Sequence, residues 1–161
     1  MRGGAVPPAL LFLALGLALS SAPRSVWVPS LGALLASLAA FTFLPVPGSG
    51  LEPVFFGFWI SVIATAASVH VGGGLRPRAA LVFSLNAGIW ASAIVSLSGS
   101  RLDLLKALPC ALVFLPASWV VTRYESIPVK VVSSWVIAVA VLAATLQLLP
   151  VTPGYLPDHL E

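Results

Sequence analysis

Residues 78–98 read RAALVFSLNAGIWASAIVSLS, and no charged side chain occurs between Arg78 and Arg101. A helix needs about 20 apolar residues to cross a hydrocarbon core roughly 30 Å thick. The stretch has that length. Lipid offers no water to satisfy backbone N–H and C=O groups, so the stretch must satisfy them internally, as an α-helix does.

Working outward, five further runs of this kind flank it: Ala5 to Ala22, Val26 to Leu44, Glu52 to Val71, Leu104 to Val121 and Pro128 to Leu149. The predicted fold is therefore all-α, a polytopic transmembrane helical bundle with six spans. It forms a single domain over residues 1–161 with a short extramembrane tail from Pro150 to Glu161. The tail carries Pro150, Pro153 and Pro157 and is too short and too proline-rich for another span.

The breaks between runs have local causes. Pro45, Pro47 and Gly50 precede the third run, and Ser49 stands three residues before Glu52, the spacing of a capping box. Gly72, Gly73 and Gly74 precede the fourth, which opens at Pro77, a residue tolerated in a first turn because its missing N–H is not needed there. Ser100 and Asp103 repeat the capping spacing before the fifth. The first run also has the outline of a signal peptide: Arg2, an apolar core and the small residues Ser20, Ser21 and Ala22. Pro23 opposes cleavage after Ala22, so a retained first helix is expected; cleavage would leave five spans.

Composition agrees with lipid as solvent. Of 161 residues, 59% are hydrophobic and 8% charged, against roughly 25% charged in an ordinary soluble domain. Mean hydropathy is +1.06. The charges behind the net +3 sit almost entirely in short stretches between the apolar runs or at their ends and make no basic patch with interleaved aromatic residues, so no nucleic-acid partner is expected. With six spans, Arg24, Arg76, Arg78, Arg123 and Lys130 fall on one side, and Arg2, Arg101 and Lys106 on the other. Cations tend to stay cytoplasmic, so both termini are expected outside the cytoplasm. The loop-poor, Ala- and Leu-rich composition suits a bacterial inner membrane.

Several residues within the spans are candidates for function. Ser84, Gly88, Ser92 and Ser96 recur every four residues along the fourth run, and Gly32, Ala36 and Ala40 do so along the second; such stripes let helix backbones approach closely. Asn86 lies near the bilayer midplane, with Trp90 one turn later on the same face. Ser84, Asn86, Gly88 and Ser92 are the candidate polar path. Pro109 and Pro116, seven residues apart, are expected to kink the fifth run. Lys106 and Lys130 sit in first turns, where long side chains reach back to the interface. Trp27, Trp59, Trp119 and Tyr124 are read as an aromatic belt.

No nucleotide, zinc-protease or serine-nucleophile motif occurs. Cys110 has no base beside it in the sequence, and His70 and His159 are far apart, so neither a catalytic residue, a metal site nor a cofactor is expected. The expected partners are the bilayer and either a second copy of the chain or a larger membrane complex. The leading expectation is a non-catalytic accessory or scaffold subunit. The alternative is a small permease or channel-like protein with a polar path near Asn86, and an intramembrane enzyme would need Cys110, His70 and Lys106 to converge.

Overall fold

A computed structural model describes residues 4–42, 51–98, 100–124, 126–146 and 148. Among the described residues seven α-helices make up the bundle: α1 (Val6–Leu19), α2 (Trp27–Phe41), α3 (Leu51–Ala67), α4 (Pro77–Ser98), α5 (Arg101–Ala107), α6 (Phe114–Tyr124) and α7 (Ile127–Thr145). The short 3₁₀ turns Arg24–Val26 and Ser68–His70 extend α2 backwards and α3 forwards, and a longer 3₁₀ segment, Leu108–Val113, joins α5 to α6 into one rod. Five of these units are long and apolar enough to cross a membrane: Arg24–Phe41, Glu52–His70, Pro77–Leu97, Arg101–Tyr124 and Ile127–Thr145.

Each of the six apolar runs contains a helix among its described residues, and the first differs from the others. At 14 residues, α1 is about 21 Å long at 1.5 Å per residue, short of the full hydrocarbon thickness. It occupies the centre of the bundle, packed against α3, α4, α7 and all three segments of the α5–α6 rod. Leu11, Phe12, Ala14, Leu15, Ala18 and Leu19 are each 0% exposed. A helix that is apolar all round belongs in an interior. Pro7 and Pro8 open it. At its far end Ser20 and Ser21 donate to the carbonyls of Leu17 and Ala18 at 2.6 and 2.9 Å, and Pro23 follows.

α2 lies at the periphery with α4 as its main neighbour. α3 packs on α1, α4 and α7, and Ser133 of α7 donates to Ala66 O of α3 at 2.6 Å. The glycine loop 71–76 returns to the same end of the bundle as residues 20–23, where Gly74 (φ +76°) lies so close that a Cβ would sit 2.8 Å from Ser21 O. Only a residue without a side chain fits there in that left-handed conformation.

The capping box expected before the fifth run is present: Ser100 accepts from Leu102 N–H, and Asp103 accepts from Ser100 N–H at 3.0 Å. Pro77 is the first residue of α4. The box expected at Ser49 and the tail from Pro150 to Glu161 lie outside the described residues.

Candidate functional site

The fourfold spacing on α4 leads to α2. Gly88 packs so tightly there that a Cβ on it would stand 1.8 Å from Ser37 Oγ and 2.9 Å from Leu34 O. One turn on, Ser92 is buried, with Oγ 3.5 Å from Leu38 O and 3.4 Å from Thr42 Oγ1. One turn back, buried Ser84 donates to Ala80 O of its own helix at 2.8 Å, and Ser96 does the same to Ser92 O. Back-bonding of this kind consumes a hydroxyl within the helix.

Asn86 belongs to another interface. At 100° per residue it lies on the side of α4 away from Ser84, Gly88 and Ser92, and its Nδ2 donates to Ser61 Oγ of α3. Trp90, one turn later, covers Gly57 of α3 so closely that a Cβ there would overlap the indole ring. The four candidate path residues thus divide: Gly88 and Ser92 meet α2, Asn86 meets α3, and the Ser84 hydroxyl is bonded within α4 itself.

The partners Gly57, Ser61, Ser37 and Gly16 were missed by sequence reasoning, although one signal was available. Gly57, Ser61 and Thr65 repeat every four residues on α3 just as the small residues of α4 do. Gly16 carries no such pattern; its neighbours are the backbone atoms Ala111 O and Cys110 O, 2.8 and 3.2 Å from where its Cβ would stand. Among the described residues, Ser30 Oγ, Trp59 Nε1 and Thr65 Oγ1 are buried polar atoms without a hydrogen-bond partner in the protein.

Pro109 lies at the start of the 3₁₀ segment Leu108–Val113 of the α5–α6 rod, and Pro116 lies in the first turn of α6. Proline supplies no N–H to an i→i−4 ladder, and the tighter 3₁₀ turn relaxes that demand. A 3₁₀ helix turns about 20° more per residue than an α-helix, so six residues rotate the far half of the rod by about 120°. Both prolines are exposed, while the carbonyls of Cys110 and Ala111 face Gly16 of α1.

The remaining candidates are spread through the bundle. His70, with Nε2 3.4 Å from Ser134 Oγ, lies at the end shared by residues 20–26 and 71–76. Exposed Lys106 sits toward the opposite end, and Cys110 lies half-buried one turn beyond it. These three do not converge. Trp59 is 2% exposed and packs edge-to-face on Phe55 and Phe58, so it is a core residue and not part of a belt. Trp119 and Tyr124 are exposed and stack on each other at 6.2 Å. The stripe Gly32, Ala36 and Ala40 faces outward, with nothing within 4 Å of a Cβ on Gly32. α2 instead meets α4 through Leu34, Ser37 and Leu38, which lie against Gly88 and Ser92.

Compared with protein-family models, curated proteins and solved structures, the chain matches none. It is a helical, multi-pass protein with the dimensions of a membrane bundle, and its functional reading rests on the packing just described.

Proposed function

We propose that the protein is a non-catalytic accessory or scaffold subunit that packs within a larger membrane complex or with copies of itself. The observation that carries this reading is the use of the α4 small and polar groups in internal packing: Gly88 against Ser37 and Leu34, Asn86 on Ser61. A conducting path would need those groups turned toward a shared hydrated space. The outward face of α2, with Gly32, Ala36 and Ala40, is the surface on which another helix backbone could approach closely. The proposed setting is a bacterial inner membrane, with the end bearing Arg24, Arg76, Arg78, Arg123 and Lys130 in the cytoplasm.

A second reading, a small permease, draws on one observation: Thr65 Oγ1 is buried and unpartnered one turn past Ser61, where water could bridge polar groups. Cysteine accessibility separates the two. Single cysteines at Ser84, Asn86 and Ser92 in a Cys110→Ala background are expected to resist a small water-soluble thiol reagent while loop cysteines react. Reaction at Asn86 would overturn the scaffold reading in favour of the permease.

A further inference from the structure

Helices that begin at opposite ends of the bundle begin with opposite charge. α2 and α4 run parallel, since Leu34 and Ser37 meet Gly88 while Leu38 meets Ser92 one turn on. α3 and α5, which follow them in the chain, therefore both start at the far end. Their first turns carry Glu52 and Asp103, the sign that the positive end of a helix dipole favours. α2 and α4 start at the near end, as does α7, whose Ser133 and Ser134 meet Ala66 and His70 where α3 finishes. None of these three has an acidic residue in its first turn. Cations stand there instead: Arg24 opens the 3₁₀ turn leading into α2, Arg76 and Arg78 flank Pro77 at the head of α4, and Lys130 is the fourth residue of α7.

Three of these cations share one corner. The turn Arg24–Val26 packs on α4, and Gly74, two residues before Arg76, comes against Ser21 O, three residues before Arg24. Arg24, Arg76 and Arg78 are all exposed. Arg24 lies 5.9 Å from the centre of the Trp27 ring, whose Nε1 donates to Leu19 O at 3.1 Å. Among the described residues, the guanidinium groups of Arg76 and Arg78 make no hydrogen bond or ion pair. The carboxylates among those residues, Glu52 and Asp103, are at the far end, and the chain has no other acid before Glu125. Arg123 and Lys130 differ in this respect, because Glu125 falls between them in the chain.

The depth of the corner decides which anion meets it. The apolar span Pro77–Leu97 has 21 residues, about 31 Å at 1.5 Å per residue, which matches the hydrocarbon thickness. Arg78 therefore stands at the boundary of the hydrocarbon, where phospholipid phosphates lie. It heads an outward stripe of α4 that continues through Val82 and Leu85, 62% and 43% exposed. Acyl chains running along that stripe confine a lipid phosphate at the level of the arginines. A soluble anion has no such confinement and meets only exposed groups that salt screens. The planar guanidinium fork also matches phosphate oxygens in shape and charge.

We propose that Arg24, Arg76 and Arg78 form a docking patch for the phosphate groups of anionic phospholipids, which supply the negative charge that the starts of α2 and α4 lack. The patch is independent of the scaffold reading, since it uses neither the Gly32, Ala36 and Ala40 stripe nor Asn86. It holds whichever side of the membrane this end faces.

Native mass spectrometry of the detergent-solubilised full chain, titrated with phosphatidylglycerol or phosphatidylcholine of identical chains, tests this directly. Phosphatidylglycerol is expected to be retained in preference to phosphatidylcholine. Arg24→Gln, Arg76→Gln and Arg78→Gln each weaken its retention about fivefold, and the three together about a hundredfold, with phosphatidylcholine unchanged. Lys106→Gln, at the far end, alters neither lipid. The three arginines are exposed, so the thermal midpoints of the variants without added lipid are expected to match the parent, which separates lost retention from lost folding. Equal retention of both lipids by the parent, undiminished phosphatidylglycerol in the triple variant, an equal loss in Lys106→Gln, or displacement of the lipid by inorganic phosphate overturns the proposal. A phosphatidylglycerol with a photoactivatable headgroup provides the same decision on the unaltered protein. Labelling of peptides from residues 24–28 and 74–82 supports the patch, and labelling elsewhere with those peptides untouched refutes it.

Discussion

Gly88 shows what one missing methyl does in a bundle without a hydrophobic force between its helices. Lipid tails are as apolar as leucine, so helices in lipid associate through close contact and interhelical hydrogen bonds. A Cβ on Gly88 would meet Leu34 O, a backbone atom, at 2.9 Å as well as Ser37 Oγ. Gly88→Ala is therefore expected to destabilise the bundle by about 1–3 kcal/mol through overpacking. Adding Ser37→Gly should recover part of that loss, because the nearer clash goes and the Leu34 carbonyl remains. Thermal unfolding of the purified variants checks both; an unchanged midpoint for Gly88→Ala would mean that α2 does not sit against α4.

The hydrogen bond from Asn86 to Ser61 is expected to contribute modestly despite its place midway along α4. Interhelical polar pairs in membranes average about 0.6 kcal/mol, because the separated helices find other partners. Asn86→Leu should cost about that much stability, and Ser61→Ala should then add nothing in the Asn86→Leu background. A loss beyond about 2 kcal/mol in this double-mutant cycle would mean that Asn86 serves a wider polar network.

Among the helices, α1 has the role that its length and flanks leave hidden. It resembles a leader in outline, yet Leu11, Phe12, Leu15 and Leu19 are wholly enclosed by the other helices. Removing it would take the centre out of the bundle. The expected outcome is that residues 5–22 remain in the protein isolated from membranes, which intact-mass measurement would show directly. Leu15→Ala should cost about 2 kcal/mol, the low end of the soluble range, since the lost packing counts in lipid and the transfer from water does not. Leu35→Ala, at a site facing outward, should cost far less.

The α5–α6 rod shows a proline pair acting through helix type. The break expected at Pro109 and Pro116 could be placed from the sequence, but the choice between a bend and a 3₁₀ overwind depends on what lies beside the segment. Here the neighbour is Gly16, whose lack of a side chain admits the carbonyls of Cys110 and Ala111.

At the scale of the molecule, the two ends differ in charge. Arg24, Arg76, Arg78, Arg123 and Lys130 gather at one end, with Arg24 stacked 5.9 Å from the centre of the Trp27 ring. The other holds Arg101 and Lys106 with Glu52 and Asp103. Reporter fusions in the loop of residues 71–76 should read cytoplasmic, and those between Ser98 and Arg101 non-cytoplasmic. The reverse pattern would invert the proposed orientation without changing the packing.

What the sequence by itself determined is the solvent, the helices and their ends. Long uncharged runs can only be helices in lipid, and the Ser100–Asp103 box and Pro77 act within a few residues of where they are read. The small-residue spacing on α4 also identified a close-packed face. Only the tertiary structure decided which neighbour each face meets. Asn86 and Gly88 are two residues apart, yet one goes to α3 and the other to α2. The Gly32, Ala36 and Ala40 stripe looks equivalent to that of α4 and faces outward. Periodicity gives a face its character. The partner is selected by how six helices share space around α1, and that depends on contacts between residues far apart in the chain.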